Sequence, residues 1–276
     1  MIELIQITND PAFARRCDAL DGMRLWVDLE RLGKAERQAG RNTFISEHQP
    51  DDVARIKDVL RRSQLMVRVN PLNSQSADEV DAVLARGADL LMLPMFTTAG
   101  ELRAFSTLVA GRAPIVPLLE TAGALATLND WVATPGLHEV YVGLNDLHLS
   151  LGLRFMFEPL ASGIVARVGE SARSHGLRFG FGGIARLDEG LLPGRDVLAE
   201  HVRLGSQAVI LSRTFHQHAV SAVTDHSFED AVAGLRQAES DLGTRTRTQQ
   251  EADRARIAEA IEGVAARLAA KAEATA

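Results

Sequence analysis

Cysteine is almost missing from this chain. Cys17 stands alone among 276 residues, so no internal disulfide can form, and the composition predicts a reducing compartment, the cytoplasm. Lysine is nearly as scarce: Lys34, Lys57 and Lys271 are three of 30 basic residues. Schiff-base chemistry requires a lysine desolvated within its site. Lys57 falls in an amphipathic helical pattern and Lys271 in the tail, which leaves Lys34 as the single weak candidate. Positive charge is not in excess either. A net charge of -6 and a pI near 5.8 argue against nucleic acid as the partner. No run of about 18 apolar residues occurs, so no membrane-spanning helix is expected. The start, MIELIQITNDPAFARR, lacks the basic flank and long apolar core of a secretory signal. No Cys/His cluster has zinc-site spacing.

What is present is an ordinary globular balance, 46% hydrophobic and 24% charged. Eight apolar, β-rich runs alternate with helical patterns: Ile2–Thr8, Arg24–Glu30, Leu65–Asn70, Leu90–Met95, Pro114–Glu120, Glu139–Gly143, Arg178–Gly183 and Ala208–Ser212. Runs apolar through most of their length suit parallel strands covered on both faces. Strand number and chain length favour an α/β fold of the (β/α)8 TIM-barrel type over an open doubly wound sheet. The first helix, within Pro11–Leu20, is short. We place the barrel at residues 1–243 and a helical extension at 244–276. In that extension Ile257, Ile261, Val264 and Leu268 recur at helical spacing. Such a stripe must dock on the barrel or on another subunit, and a homo-oligomer is expected.

Several strands end in charged or polar residues: Asp28 and Glu30 on the second, Arg68 and Asn70 on the third, Glu120 on the fifth, Asn145 and Asp146 after the sixth. In a barrel these ends share one mouth, where catalytic residues gather. Twenty residues, Arg31–Pro50, join the second strand to its helix, against the usual two to six. The segment carries Arg31, Lys34, Arg37 and Arg41, which suggests a clamp for an anionic substrate. Gly180, Gly182 and Gly183 with Arg186 make a strand-seven exit that could cradle phosphate. His216 and His218 form a lone His-x-His pair, weak as a metal signal.

Two carboxylates at neighbouring strand ends, Glu120 and Asp146, can converge on a hard cation. Mg²⁺ or Mn²⁺ would take the pair together with waters and substrate oxygens. Gly143 lets the backbone approach a ligand, and the Leu144–Asp146 amides can receive a substrate carboxylate. Arg68 would neutralise the oxygen that turns negative as an enolate forms. Proton transfer would fall to His48 in the long loop, to His148 two residues after Asp146, or to a metal-bound water. Asp28 and Glu30 would hold metal waters or orient Arg68.

The ordered set VDLE, MVRVNP, GADLLMLPM, PLLETAGAL and YVGLNDLHLSLG, within residues 20 to 215, resembles the HpcH/HpaI aldolase/citrate lyase family. The resemblance implies a barrel of the phosphoenolpyruvate/pyruvate superfamily that makes or breaks C–C bonds beside an enolate, with Mg²⁺ or Mn²⁺. It implies Glu120 and Asp146 as metal carboxylates, Arg68 as the enolate-stabilising arginine, and Gly143–Asp146 as the carboxylate-holding turn. Arg31 stands where the pyruvate aldolases have histidine and where the citrate lyase β-subunit branch has its second aspartate. The expected function is therefore a divalent-metal-dependent carbon–carbon lyase or aldolase acting on a 2-oxo acid such as pyruvate, a reaction that could also run as a condensation. The second substrate would be a carbonyl compound or an anion, with Arg31, Lys34 and Asn70 on the substrate side. The alternatives are a citrate- or malyl-type CoA-thioester lyase, a C–P or C–O bond enzyme of the same superfamily, and a non-catalytic binding barrel.

Overall fold

In the computed structural model, which describes residues 1–34, 47–212, 215 and 227–274, each apolar run becomes a strand. These are β1 (Glu3–Ile7), β2 (Met23–Asp28), β3 (Gln64–Arg68), β4 (Leu90–Leu93), β5 (Ile115–Leu119), β6 (Glu139–Val142), β7 (Arg178–Ile184) and β8 (Ala208–Leu211). They pair in parallel in chain order, and β8 closes on β1. Helices follow the strands, so the fold is a (β/α)8 barrel with an extra C-terminal helix.

Alternation along each strand sorts the side chains into two cores. Ile5, Trp26, Met66, Met92, Val116, Leu118 and Tyr141 fill the barrel interior. Leu25, Val27, Val67, Leu91 and Leu119 belong to the larger cluster beneath the helices. The same parity carries Asp28, Arg68 and Glu120 to the inner upper rim, two positions above Trp26, Met66 and Leu118.

The lower rim is also charged, which the sequence reading did not anticipate. Arg24 lies wholly buried, with its Nη1 and Nη2 3.0 and 3.1 Å from the two Glu139 oxygens, and it also pairs with Glu3. Arg178 donates at 3.0 Å to both Glu139 and Glu3. Two acids thus meet two arginines.

The glycine run of β7 has a packing reason. A Cβ on Gly180 would sit 2.7 Å from the Tyr141 ring. The register between β7 and β8 shifts there, and the Tyr141 hydroxyl fills the gap. It accepts from the Ile210 amide at 2.8 Å and donates to the Gly182 carbonyl at 2.7 Å. Arg186 is directed to the Phe215 carbonyl, at 3.2 Å from Nε.

After the helix Ser227–Gly243, a capping box of Thr246 and Gln249 opens the helix Arg247–Glu273. Its stripe of Ile257, Ile261 and Val264 is buried against the helices Glu158–Ala161 and Gly194–Leu204 of the same chain. Arg256 clasps Asp196 at 2.7 and 3.1 Å. The apolar stripe is therefore satisfied by the chain's own barrel. Among the described residues no helix is long and apolar enough to cross a membrane.

Candidate active site

Arg68, the last residue of β3, reaches across to Asp28, the last of β2. Its Nε and Nη2 each donate to one Asp28 oxygen at 2.8 Å, and Nη2 lies 3.3 Å from Glu30. Lys34 joins the same acids, 2.8 Å from Asp28 and 3.4 Å from Glu30. Burial alone would raise the Asp28 carboxyl, but the Arg68 guanidinium and the Lys34 ammonium hold it well below the usual carboxylate range. Burial opposes the charge on Arg68; Asp28, Glu30 and Glu120 outweigh that and raise its pKa. Nη1 is the guanidinium nitrogen left without a hydrogen bond among the described residues. Below, the guanidinium carbon stands 4.8 Å over the Trp26 ring, a cation–π contact.

Glu120 sits one residue past β5 and is 3% exposed. Thr121 pins the strand exit: its hydroxyl donates to the Phe96 carbonyl at 2.7 Å and accepts from the Ala124 amide at 3.0 Å. Glu120 Oε1 accepts from the Met95 amide at 3.0 Å. Met95 holds a left-handed backbone, φ 56°, which side chains other than glycine disfavour. On the other side Gly143 makes room, because a Cβ there would lie 2.8 Å from Glu120 Oε2. Asp146 stands in the first turn of the helix Leu144–Ser150, which starts directly after Gly143. Burial, then the charges of Asp146 and Glu30, push the Glu120 carboxyl up to about 8, against the opposing pull of Arg68 and the Met95 amide. The Glu120 carboxyl therefore feels the charge of Asp146.

Among the described residues Glu120 forms no ion pair, whereas Asp28 and Glu30 are paired with Lys34 and Arg68. Among the described residues no three His, Cys, Asp or Glu side chains converge as a closed cage. A pair of carboxylates with open positions is the donor set that Mg²⁺ accepts, because it keeps waters and substrate oxygens in its shell. The residues present fit such an ion.

The remaining expected residues divide. His48 is buried and comes beside Asp28, its Nδ1 accepting from the Asp28 amide at 3.1 Å. Burial leads in lowering its pKa, so the neutral ring is favoured. His148 is buried with Nδ1 3.2 Å from the Leu144 carbonyl. A carbonyl only accepts, so Nδ1 carries the proton and Nε2 is left to accept. Leu144 is buried, while Asn145 is half-buried beside Asp146. Arg31 and Asn70, expected on the substrate, are engaged in scaffolding. Asn70 accepts from the Arg31 and Leu32 amides at 2.8 and 3.0 Å and donates to Glu79 at 2.8 Å. Arg31 is exposed and donates to the His48 carbonyl at 2.8 Å. Both are committed because a loop leaving β2 must be tied to β3. Lys34 likewise bonds acids rather than open space. Arg37 and Arg41 of the long connection, and His216 and His218, lie outside the described residues. Sequence reasoning missed Trp26 and Met95; neither belongs to a pattern that signals its role.

Residues 50–158 match the HpcH/HpaI aldolase/citrate lyase family. Over 116 residues the chain is 31% identical to the (3S)-malyl-CoA thioesterase of Cereibacter sphaeroides; the match covers 41% of this chain and 40% of that protein. The chain thus spans about two fifths of the length of the curated relatives it matches. Among solved structures, an HpcH/HpaI aldolase/citrate lyase family protein from Burkholderia cenocepacia J2315 superposes with a TM-score of 0.61 at 17% identity, covering 85% of this chain and 94% of that one. The citrate lyase β subunit from M. tuberculosis, complexed with oxaloacetate and magnesium, gives 0.59 at 17% identity, covering 86% and 96%. These likenesses share the barrel. The stretch that matches the HpcH/HpaI aldolase/citrate lyase family, residues 50–158, carries Arg68, Glu120 and Asp146.

Proposed function

We propose that this protein is a divalent-metal-dependent carbon–carbon lyase or aldolase acting on a 2-oxo acid. The observation that carries the reading is the buried Glu120 carboxyl packed against Gly143, raised to about 8 by burial and by the charge of Asp146, and within the field of Arg68. Glu120 and Asp146 would hold Mg²⁺ or Mn²⁺, which when bound acts as a Lewis acid on the 2-oxo group. The first-turn amides of Leu144, Asn145 and Asp146 have no intrahelical acceptor and would receive the substrate carboxylate. Arg68 Nη1 would face the oxygen on which charge develops, with Asp28 and Glu30 fixing the guanidinium so that little reorganisation is needed. Proton transfer at the carbon next to the carbonyl is assigned to His48 or His148, and single Asn substitutions would tell them apart. Chemistry of this kind needs no lysine imine, in keeping with Lys34 lying between two acids.

Calorimetric titration with Mn²⁺ tests the reading. We expect one ion per chain in the wild type, no binding in Glu120→Ala or Asp146→Ala, and binding without turnover in Arg68→Ala. Turnover by Arg68→Ala at the wild-type rate would refute the enolate role. A protein that binds no divalent ion would be a binding barrel instead.

The malyl-CoA thioesterase relatives favour a second reading, in which the substrate is an acyl-CoA thioester. The same Arg68 and carboxylate pair would then serve a thioester enolate or its hydrolysis. Release of free CoA from malyl-CoA, with no reaction of free 2-oxo acids, would select it.

A further inference from the structure

Among the described residues Trp26, on the strand that ends in Asp28, has a buried polar atom with no hydrogen-bond partner. It lies in the barrel interior, 6% exposed, between Ile7 of β1 and Met66 of β3 in register. Its indole Nε1 is buried and has no hydrogen-bond partner. An indole N–H only donates, and leaving a buried donor empty costs about 1–3 kcal/mol. The other tryptophan, Trp131, shows the ordinary solution: fully buried, its Nε1 donates to the Ala124 carbonyl at 2.8 Å. Tyr141, also inside the barrel, has its hydroxyl satisfied three times over. The unfilled donor of Trp26 belongs to the ring that lies under the Arg68 guanidinium.

Position and chemistry indicate what fills it. Trp26 lies one inward position below Asp28 on β2, and its ring supports the guanidinium at 4.8 Å. Among the described residues Arg68 has one nitrogen, Nη1, without a partner. The stacked pair thus carries two unfilled donors, one cationic and one neutral. The acceptor that gains most from both is an oxygen carrying negative charge. We propose that Trp26 is a substrate-contacting residue, its indole N–H donating beside Arg68 Nη1 to the oxygen of the bound 2-oxo acid that becomes negative as the enolate forms. This deepens the reading above and rests on it. Preorganised donors aimed at developing charge are the strongest form of such help. A phenylalanine would keep the ring beneath Arg68 and lose only the donor.

The test uses the intact chain and oxalate, a planar dianion shaped like the enolate of a 2-oxo acid, with Mg²⁺. With two tryptophans, a nitrogen-15 correlation spectrum shows two indole signals. Trp26→Phe removes one and so assigns both, while the Trp131 signal reports that the variant is folded. We expect the Trp26 signal to move downfield when Mg²⁺ and oxalate are added, with the Trp131 signal unmoved. Trp26→Phe should bind oxalate about tenfold or more weakly and bind Mn²⁺ as the wild type does. If oxalate binds by calorimetry and the Trp26 signal stays in place, or Trp26→Phe binds it equally well, the proposal is wrong and the Glu120–Asp146 reading stands. If the wild type binds neither Mn²⁺ nor oxalate, the reading falls and the proposal with it. Should Trp26→Phe not fold, the wild-type shift still decides.

Discussion

The two ends of this barrel carry buried charge in opposite ways. At the lower rim Glu3 and Glu139 face Arg24 and Arg178, sign matched to sign. At the upper rim Asp28 and Glu30 are paired with Lys34 and Arg68, while Glu120 forms no ion pair among the described residues and its carboxyl is raised to about 8. Buried charge that is paired within the chain is structural. An acid buried without an ion-pair partner is costly to ionise away from water, and a bound cation would relieve that cost. That difference, rather than the mere presence of acids at strand ends, separates the candidate mouth from the scaffold.

The difference can be broken by substitution. The largest effect is expected at Glu120. Glu120→Gln should lower turnover by about 10³ or more as the ion and its Lewis acidity are lost, while the melting temperature stays level or rises. Glu139→Ala should do the reverse. It leaves Arg24 buried without its main partner and should cost about 3–5 kcal/mol in chemical denaturation, with turnover per folded molecule unchanged. Equal losses of stability from the two substitutions would show that the rims do not differ in kind. Asp28→Asn is intermediate: it frees Arg68 from its bidentate hold and should reduce turnover by about 10–100-fold, with Mn²⁺ affinity retained.

A smaller effect sharpens the contrast through pH. A carboxyl whose folded pKa is raised gives stability that is whole below its ordinary value of 4.5 and is lost as pH rises towards about 8. The metal-free protein should therefore melt at progressively lower temperature across that window. Mg²⁺ should remove the slope, and so should Glu120→Gln. A flat profile in the metal-free wild type would mean that Glu120 ionises freely and that its surroundings are not as charged as described.

Much of this architecture was legible in the residues. Eight apolar runs, each followed by a helical pattern, call for a parallel sheet because both faces of every strand must be covered, and their number favoured closure over an open sheet. Glu120 and Arg68 were readable as polar ends of apolar runs, a position whose alternation parity points inward, and Asp146 as an acid shortly after the sixth run. Other features were not. The Met95 backbone amide that holds Glu120 depends on a left-handed turn that Pro94–Met95–Phe96 does not announce. Asn70 and Arg31 looked like substrate residues, since a polar strand end reads the same whether it faces a ligand or a neighbouring loop. The lower-rim network joins residues 3, 24, 139 and 178, a pairing that only barrel closure creates. The β7 glycines signalled close approach, and at Gly180 what approaches is Tyr141.

The central claim is that Glu120, Asp146 and Arg68 together allow a 2-oxo acid to lose a proton next to its carbonyl. Hydrogen–deuterium exchange of the pyruvate methyl group in D₂O, followed by proton NMR, reads that step without knowledge of the second substrate. The account predicts exchange by the wild type with Mg²⁺, none after chelation, none in Glu120→Ala or Asp146→Ala, and none in Arg68→Ala although the metal still binds. Exchange that continues at the wild-type rate in Glu120→Ala or in the chelated protein would contradict it.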